Sequence, residues 1–353
     1  MHSPQRLASR YRPRRPGITL AALAAAVALV LSACGSDGSS DSDGSSGSDP
    51  AASAASDAFP VTIEHARGST TIEEQPTRIV TVGYTDVEPV LALGFKPVGA
   101  LPWFGEDLDQ SWPWVQDAWG DEPPEYVATA SDINYEKLAA LQPDLILGLY
   151  ANLDKPTYEK LSAIAPTVAQ NGDYEAYATP WDEMTRVAGK ALGRSEEAEE
   201  LIADIEGKFA AAREAHPEFA DLSAVVTDPN GGSFFAFGPL DPRGVFTSSL
   251  GFKQPQEVAD YLDGKFGDEV SMERLDLFEA DRLLVLADGS TPDDLAANKV
   301  YQGLDVVKSG NAIEVPYSDP PAYGAAVAYN TVLSIPYALE HIVPLLADPS
   351  SGS

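Results

Sequence analysis

The stretch Ser195–His216, SEEAEELIADIEGKFAAAREAH, carries Ala198, Leu201, Ile202, Ile205, Phe209 and Ala212 at spacings of three and four, with charged residues between them. That period of 3.6 makes one face of a helix apolar and the other solvated. Ser195 suits the first turn as a cap, Glu196 and Glu197 suit the positive end, and Lys208, Arg213 and His216 suit the negative end before Pro217 stops it. At about 1.5 Å per residue the helix spans roughly 30 Å, the width of a small domain. Gly207 is its one weak point, since a mid-helix Gly costs about 1 kcal/mol.

On either side of this helix the chain repeats itself. INYEKLAALQPDLILGL, starting at Ile133, aligns without gaps on VSMERLDLFEADRLLVL, starting at Val270, at an offset of 137. Leu93-Gly94-Phe95 likewise matches Leu250-Gly251-Phe252 at an offset of 157, so the first copy carries 20 extra residues between the two motifs. The insertion corresponds to the loop Trp103–Gly120, which holds four of the five tryptophans. Around these motifs short apolar runs alternate with amphipathic segments, the pattern of sheets flanked by helices. A hairpin is expected about Arg67-Gly68, and helix is expected from Trp181 straight into the long helix. SMERLDLFEA is expected to be helical, as is a closing segment, Tyr329–Leu346, kinked at Pro336.

The expected fold class is therefore α/β: two Rossmann-like lobes with mainly parallel sheets joined by one long rigid helix. The expected divisions are an N-terminal lobe 59–180, an inter-lobe helix 181–217, a C-terminal lobe 218–347 and a tail 348–353. Ligands of such sheets bind at the strand ends, here in a cleft between the lobes.

The 353-residue chain carries a net charge of -31, but its first 33 residues hold five Arg and no acid, leaving 18 basic against 54 acidic side chains in the remainder, or -36. Nucleic acid is not the partner of such a surface, because phosphate neutralisation needs clustered Lys and Arg. Arg6, Arg10, Arg12, Arg14 and Arg15 precede an apolar run, Ile18–Leu31, that ends in Leu31-Ser32-Ala33-Cys34. Residues 1–33 read as an export signal. The ending resembles a bacterial lipoprotein box, which implies acylation of Cys34, the only cysteine, and a place on the outer face of the cell membrane. The Arg14-Arg15 pair leaves the general and twin-arginine export routes both open. Residues 34–58 are nearly all Gly, Ser, Asp and Ala and read as a disordered tether; as a flexible chain its ends lie roughly 25–30 Å apart.

No G-x-G-x-x-G, Walker, H-E-x-x-H or G-x-S-x-G motif is present, and His65, His216 and His341 are scattered. These absences point away from an enzyme, a bare-metal site or a resident cofactor. Aromatic residues at or after strand ends are the candidate ligand contacts: Tyr84, Trp103, Trp112, Trp114, Tyr150, Phe237, Tyr317 and Tyr323, with Arg243 the basic residue best placed to meet a polar group and Lys155 a second. Glu136 and Glu273 stand at the same position of the two repeats, on exposed helices, as matched docking points.

The signal and tether, with PTRIVTVGYTDVEPVLALGFKPVGA (Pro76–Ala100), INYEKLAALQPDLIL and SMERLDLFEADRLLVL, resemble the substrate-binding proteins of ABC importers for iron-siderophores and cobalamin. The resemblance implies a monomer whose lobes move little about a rigid helix, and a permease partner whose Arg residues meet one Glu per lobe, here Glu136 and Glu273. Family members that bind bare metal carry several His ligands, so the departure here implies a large chelate, with iron held by the siderophore. Scarce cations in an acidic protein favour a ferric hydroxamate over a triply anionic catecholate. Haem, with Tyr84 or Tyr150 as axial ligand, and cobalamin are the alternatives, followed by an enzyme on the same scaffold.

Overall fold

The computed structural model describes residues 59–102, 112–120, 123–129, 132–230, 232–289 and 291–352. The export signal, Cys34, the tether and Trp103 lie outside the described residues.

In the N-terminal half β1 (Val61–His65) and β2 (Gly68–Ile72) form the expected antiparallel hairpin. There follow β3 (Ile79–Thr81), α1 (Val87–Ala92), β4 (Gly99–Ala100), α2 (Pro113–Trp119) and β5 (Glu125–Tyr126). A small ladder of β6 (Ala128–Thr129) and β7 (Asp132–Ile133) leads to α3 (Tyr135–Ala140), β8 (Leu145–Gly148), α4 (Lys155–Ser162) and β9 (Thr167–Ala169). The sheet order is β5-β4-β3-β8-β9, parallel throughout.

The stretch 181–217 is two helices rather than one. α5 (Trp181–Leu192) ends at Gly193, which is left-handed at φ +69, and α6 (Ser195–Ala215) starts after Arg194 and packs back against α5. A side chain at Gly193 would be strained, and its Cβ would sit 2.7 Å from the Phe59 ring. Ser195 is the first helical residue, with Arg194 at the cap. The apolar face of α6 is buried through Ala198, Ile202, Ile205 and Phe209.

The second half runs β10 (Ala224–Asn230), β11 (Ser233–Phe237), α7 (Pro242–Ser249), α8 (Gln256–Leu262), β12 (Gly267–Val270), a 3-10 segment Met272–Phe278 and β13 (Arg282–Leu286). It ends with α9 (Thr291–Ala297), α10 (Asp305–Lys308), β14 (Ala312–Val315), α11 (Tyr323–Tyr329) and α12 (Ser334–Ala347). The sheet order is β12-β11-β10-β13-β14. Here β10 pairs with β13 and β13 with β14 in parallel, whereas β10-β11 and β11-β12 are antiparallel. The reason is the connection: β10 returns through a tight turn, which only antiparallel strands permit, while the first half crosses over through helices.

The repeat survives in register. Ile79 faces Leu145 and Ile146 faces Thr167 in one sheet; Ala224 faces Arg282 and Leu283 faces Ala312 in the other. Two local expectations fail. The SMERLDLFEA segment is a 3-10 helix broken at Arg274, not an α-helix. The closing helix is not kinked at Pro336, which sits in the first turn of α12, where no intrahelical N–H bond is lost; the break falls instead at Asn330, left-handed at φ +47.

Alternation along the strands sorts the cores. Ile146 faces an outer cluster of the first lobe, and Leu283 and Val285 an outer cluster of the second. Leu145, Leu147, Leu284 and Leu286 belong to one central core, shared by both lobes, with Ile202 and Phe209 of α6, Phe246 of α7 and Ile342 of α12. Glu88 of α1, fully buried, ties the halves further by accepting hydrogen bonds from the Trp114 Nε1 at 2.8 Å and from the Thr331 hydroxyl between α11 and α12. The lobes are thus joined by a common core as well as by α6.

Candidate functional site

The first wall of the cleft is set by a buried carboxylate. Asp86, at the start of α1, accepts hydrogen bonds from the backbone N–H groups of Gly83 at 3.0 Å and of Leu149 and Tyr150 at 2.8 Å each. Gly83 is required for this approach, since a Cβ there would lie 2.4 Å from the carboxylate oxygens. Burial pushes the Asp86 carboxyl up to about 6, opposed by those three N–H groups, which favour the charged form. The effect is to lock the ends of β3 and β8 together, with Tyr84 donating its N–H to the Tyr150 carbonyl at 3.2 Å. The two tyrosines are completed by Tyr177, whose ring stacks on Tyr84 with centroids 5.7 Å apart and meets Tyr150 edge-on at 6.0 Å. Tyr177 holds a positive φ of +61 and is partly exposed.

The second wall comes from the loop before α7. Asp241, wholly buried, caps α7 through the Arg243 N–H and takes a bidentate pair from the Arg243 guanidinium, Nε to Oδ1 and NH2 to Oδ2, both 2.9 Å. The guanidinium carbon lies 3.6 Å from the centroid of the Phe237 ring, so Arg243 is clamped between a carboxylate and an aromatic face. Tyr150 of the first lobe and Tyr317 of the second lie within electrostatic reach of Arg243. Burial raises the Tyr150 phenol, as does the charge of Asp241, so it stays protonated. Asp228, at the end of β10, is pushed up to about 6 by burial, with Arg243 opposing and Asp288 reinforcing the shift.

Two cavities meet at Tyr150. The larger, about 340 Å³, lies on the first lobe beside Tyr84, Tyr135, Asn152, Lys160 and Tyr177. The smaller, about 110 Å³, lies between the lobes, with Trp181 and Met184 on one side and Leu240 and Val245 on the other.

Of the sequence candidates, Tyr84, Tyr150, Phe237, Arg243 and Tyr317 therefore gather at the strand ends. Others do not. Trp112 and Trp114 are 2% and 9% exposed and belong to the core, Trp112 packed edge-on against Tyr329 at 4.6 Å and Trp114 against Tyr337 at 5.3 Å. They close the insertion onto the α11–α12 segment. Tyr323 stacks on His341 at 4.8 Å and packs against Tyr337. Lys155 is exposed and paired with Glu159; the basic residue at the large cavity is Lys160, 5.0 Å above the Tyr135 ring. Glu136 and Glu273 are exposed, and neither makes a hydrogen bond or ion pair among the described residues. Among those residues no three His, Cys, Asp or Glu side chains gather as a metal site.

Comparison with known proteins fits this geometry. Residues 79–318 match the family described as periplasmic binding protein. A probable siderophore-binding lipoprotein of Bacillus subtilis, YfiY, is 31% identical over 271 residues, covering 72% of this chain and 79% of its own. Among solved structures, Streptococcus pneumoniae PiaA in complex with ferrichrome superposes with a TM-score of 0.69 at 26% identity, over 83% of this chain and 99% of that one. Staphylococcus aureus SirA complexed with staphyloferrin B gives 0.67 at 26% identity, over 81% and 98%. With its two α/β lobes and inter-lobe cleft, this chain belongs to the periplasmic binding protein family.

Proposed function

We propose that the protein captures a ferric siderophore in the cleft between its lobes and delivers it to an ABC importer from the outer face of the cell membrane, held there as a monomer by lipid on Cys34. The observation that carries this reading is the pairing of a three-tyrosine wall, Tyr84, Tyr150 and Tyr177, with a single clamped guanidinium on the facing lobe. Stacked rings suit the apolar flank of a large chelate, and the remaining N–H groups of Arg243 suit its carbonyl or hydroxamate oxygens. The names of the relatives support the ligand class.

Charge selects among siderophores. Arg243 is neutralised by Asp241, and Asp228 and Asp288 stand close by, so the second wall offers no net positive field to a triply anionic catecholate. A neutral or cationic ferric hydroxamate is the better match. Glu136 and Glu273, exposed at matching positions of the repeat, are the residues we assign to contact with arginines of the permease.

Intrinsic fluorescence titrated with ferrioxamine, ferrichrome, haem and cobalamin tests the reading, with Trp181 at the smaller cavity as reporter. Saturable quenching by the two hydroxamates is expected; silence with all four overturns it. For the anchor, Cys34→Ser should release the protein from the membrane fraction or leave it unprocessed.

A further inference from the structure

The smaller cavity differs in kind from the larger one. Its walls are Trp181 and Met184 of α5, Val245 of α7 and Leu240, and its rim is Tyr174. Leu240 is 55% exposed and Tyr174 is 39% exposed; with Tyr177 at 36% they are three of the four large hydrophobic side chains that stand out in solvent among the described residues, two of them lining this cavity and Tyr177 lining the larger one. Apolar side chains left exposed together beside a cleft mark a binding surface. Among the polar residues of its lining, Asn330 is 3% exposed and its Oδ1 has no hydrogen-bond partner among the described residues. A buried amide oxygen without a partner costs free energy that an incoming donor recovers. Tyr150 lines both cavities, so the two adjoin at that side chain.

We infer that this inter-lobe slot binds an uncharged hydrocarbon arm of the chelate, with an amide or hydroxyl donor on that arm turned to Asn330. The inference rests on the siderophore reading and narrows it to ligands that are not compact spheres: the iron centre sits against the tyrosines while an arm runs between the lobes. At about 110 Å³ the slot has room for roughly four groups the size of a water or a methylene, each of about 30 Å³.

The test is the set of ferric desferrioxamine B complexes whose terminal amine is acylated with acetyl, butyryl, hexanoyl or octanoyl groups, all equal in charge, titrated against the full protein. Affinity should rise about three- to four-fold per added methylene up to butyryl or hexanoyl, then level off. In Leu240→Ser and Tyr174→Ser, both changes at exposed positions, the whole series should bind as the acetyl member does. Asn330→Gly, which keeps the left-handed backbone, should weaken every member by a similar factor. Equal affinity across the series in the unaltered protein overturns the arm slot and leaves the siderophore reading standing. Failure of every member to bind overturns the hydroxamate reading and the slot with it.

Discussion

Asp144 and Asp281 occupy the same register position in the two sheets and do the same work. Asp144 Oδ2 accepts the Thr77 N–H at 2.8 Å and the Thr77 hydroxyl at 2.7 Å; Asp281 Oδ2 accepts the Ser223 N–H and hydroxyl at the same two distances. Each carboxylate fastens the entry of one strand to the start of its parallel neighbour. The repeat is therefore kept in hydrogen bonding as well as in apolar pattern.

The Ser223 N–H and hydroxyl hold the Asp281 carboxyl below its ordinary range. A depressed folded value means that the group stabilises the protein above the unfolded value of about 3.9, and that this is lost as pH falls through the folded value. Asp281→Asn should cost about 1 kcal/mol or less at pH 7, the site being exposed, and the deficit should shrink at acid pH once the folded carboxyl takes up its proton. Urea unfolding at neutral and at acid pH measures it, and an equal deficit at both would refute the linkage.

Arg243 supports the fold as well as standing in the proposed site. Arg243→Met leaves Asp241 buried without a counter-ion and should destabilise by about 3–5 kcal/mol. Adding Asp241→Asn, which still caps α7, should recover most of that loss while ligand affinity stays low. A double variant no more stable than the single one would contradict the pairing argument.

Glu136→Arg combined with Glu273→Arg should abolish iron uptake by cells and leave ferric-chelate affinity unchanged in solution, since both side chains are exposed and unbonded among the described residues. Parallel loss of uptake and affinity would remove them from the docking role.

Gly207 lies on the exposed side of α6, and a Cβ there meets nothing within 4 Å. Gly207→Ala should stabilise by about 1 kcal/mol and raise the melting temperature by about 2 °C. A lower melting temperature would mean that α6 needs its flexible point.

The duplication, the hairpin and α6 were legible because they rest on local periodicity and on a gapless internal match. So was Arg243, as an isolated basic residue before a helix in a chain short of cations. The tryptophans misled, because an aromatic after a strand serves core or ligand equally well; only the Trp112–Tyr329 and Trp114–Tyr337 packing separates the two uses. Tyr177 carries no local signal: it sits outside any helix or strand and reaches the cleft through a left-handed backbone. Asp86 is hidden for another reason. A carboxylate is expected outside, and its burial makes sense only once the N–H groups of Leu149 and Tyr150 come to meet it, 63 and 64 residues further on. The helix boundary at Gly193 was missed, although a Gly after Lys190-Ala-Leu192 is an ordinary helix stop.

The core that runs unbroken from Leu147 through Ile202 to Leu284 bears on how the importer knows its cargo has arrived. Parting the two halves would bring that shared apolar surface into water at about 25 cal/mol for each Å². A receptor joined in this way is expected to part its halves little, so that an empty copy and a full one would present nearly the same outline. In the proposed role the difference would be the outer face of the chelate itself, beside the exposed Tyr174, Tyr177 and Leu240, where loading would become visible from outside.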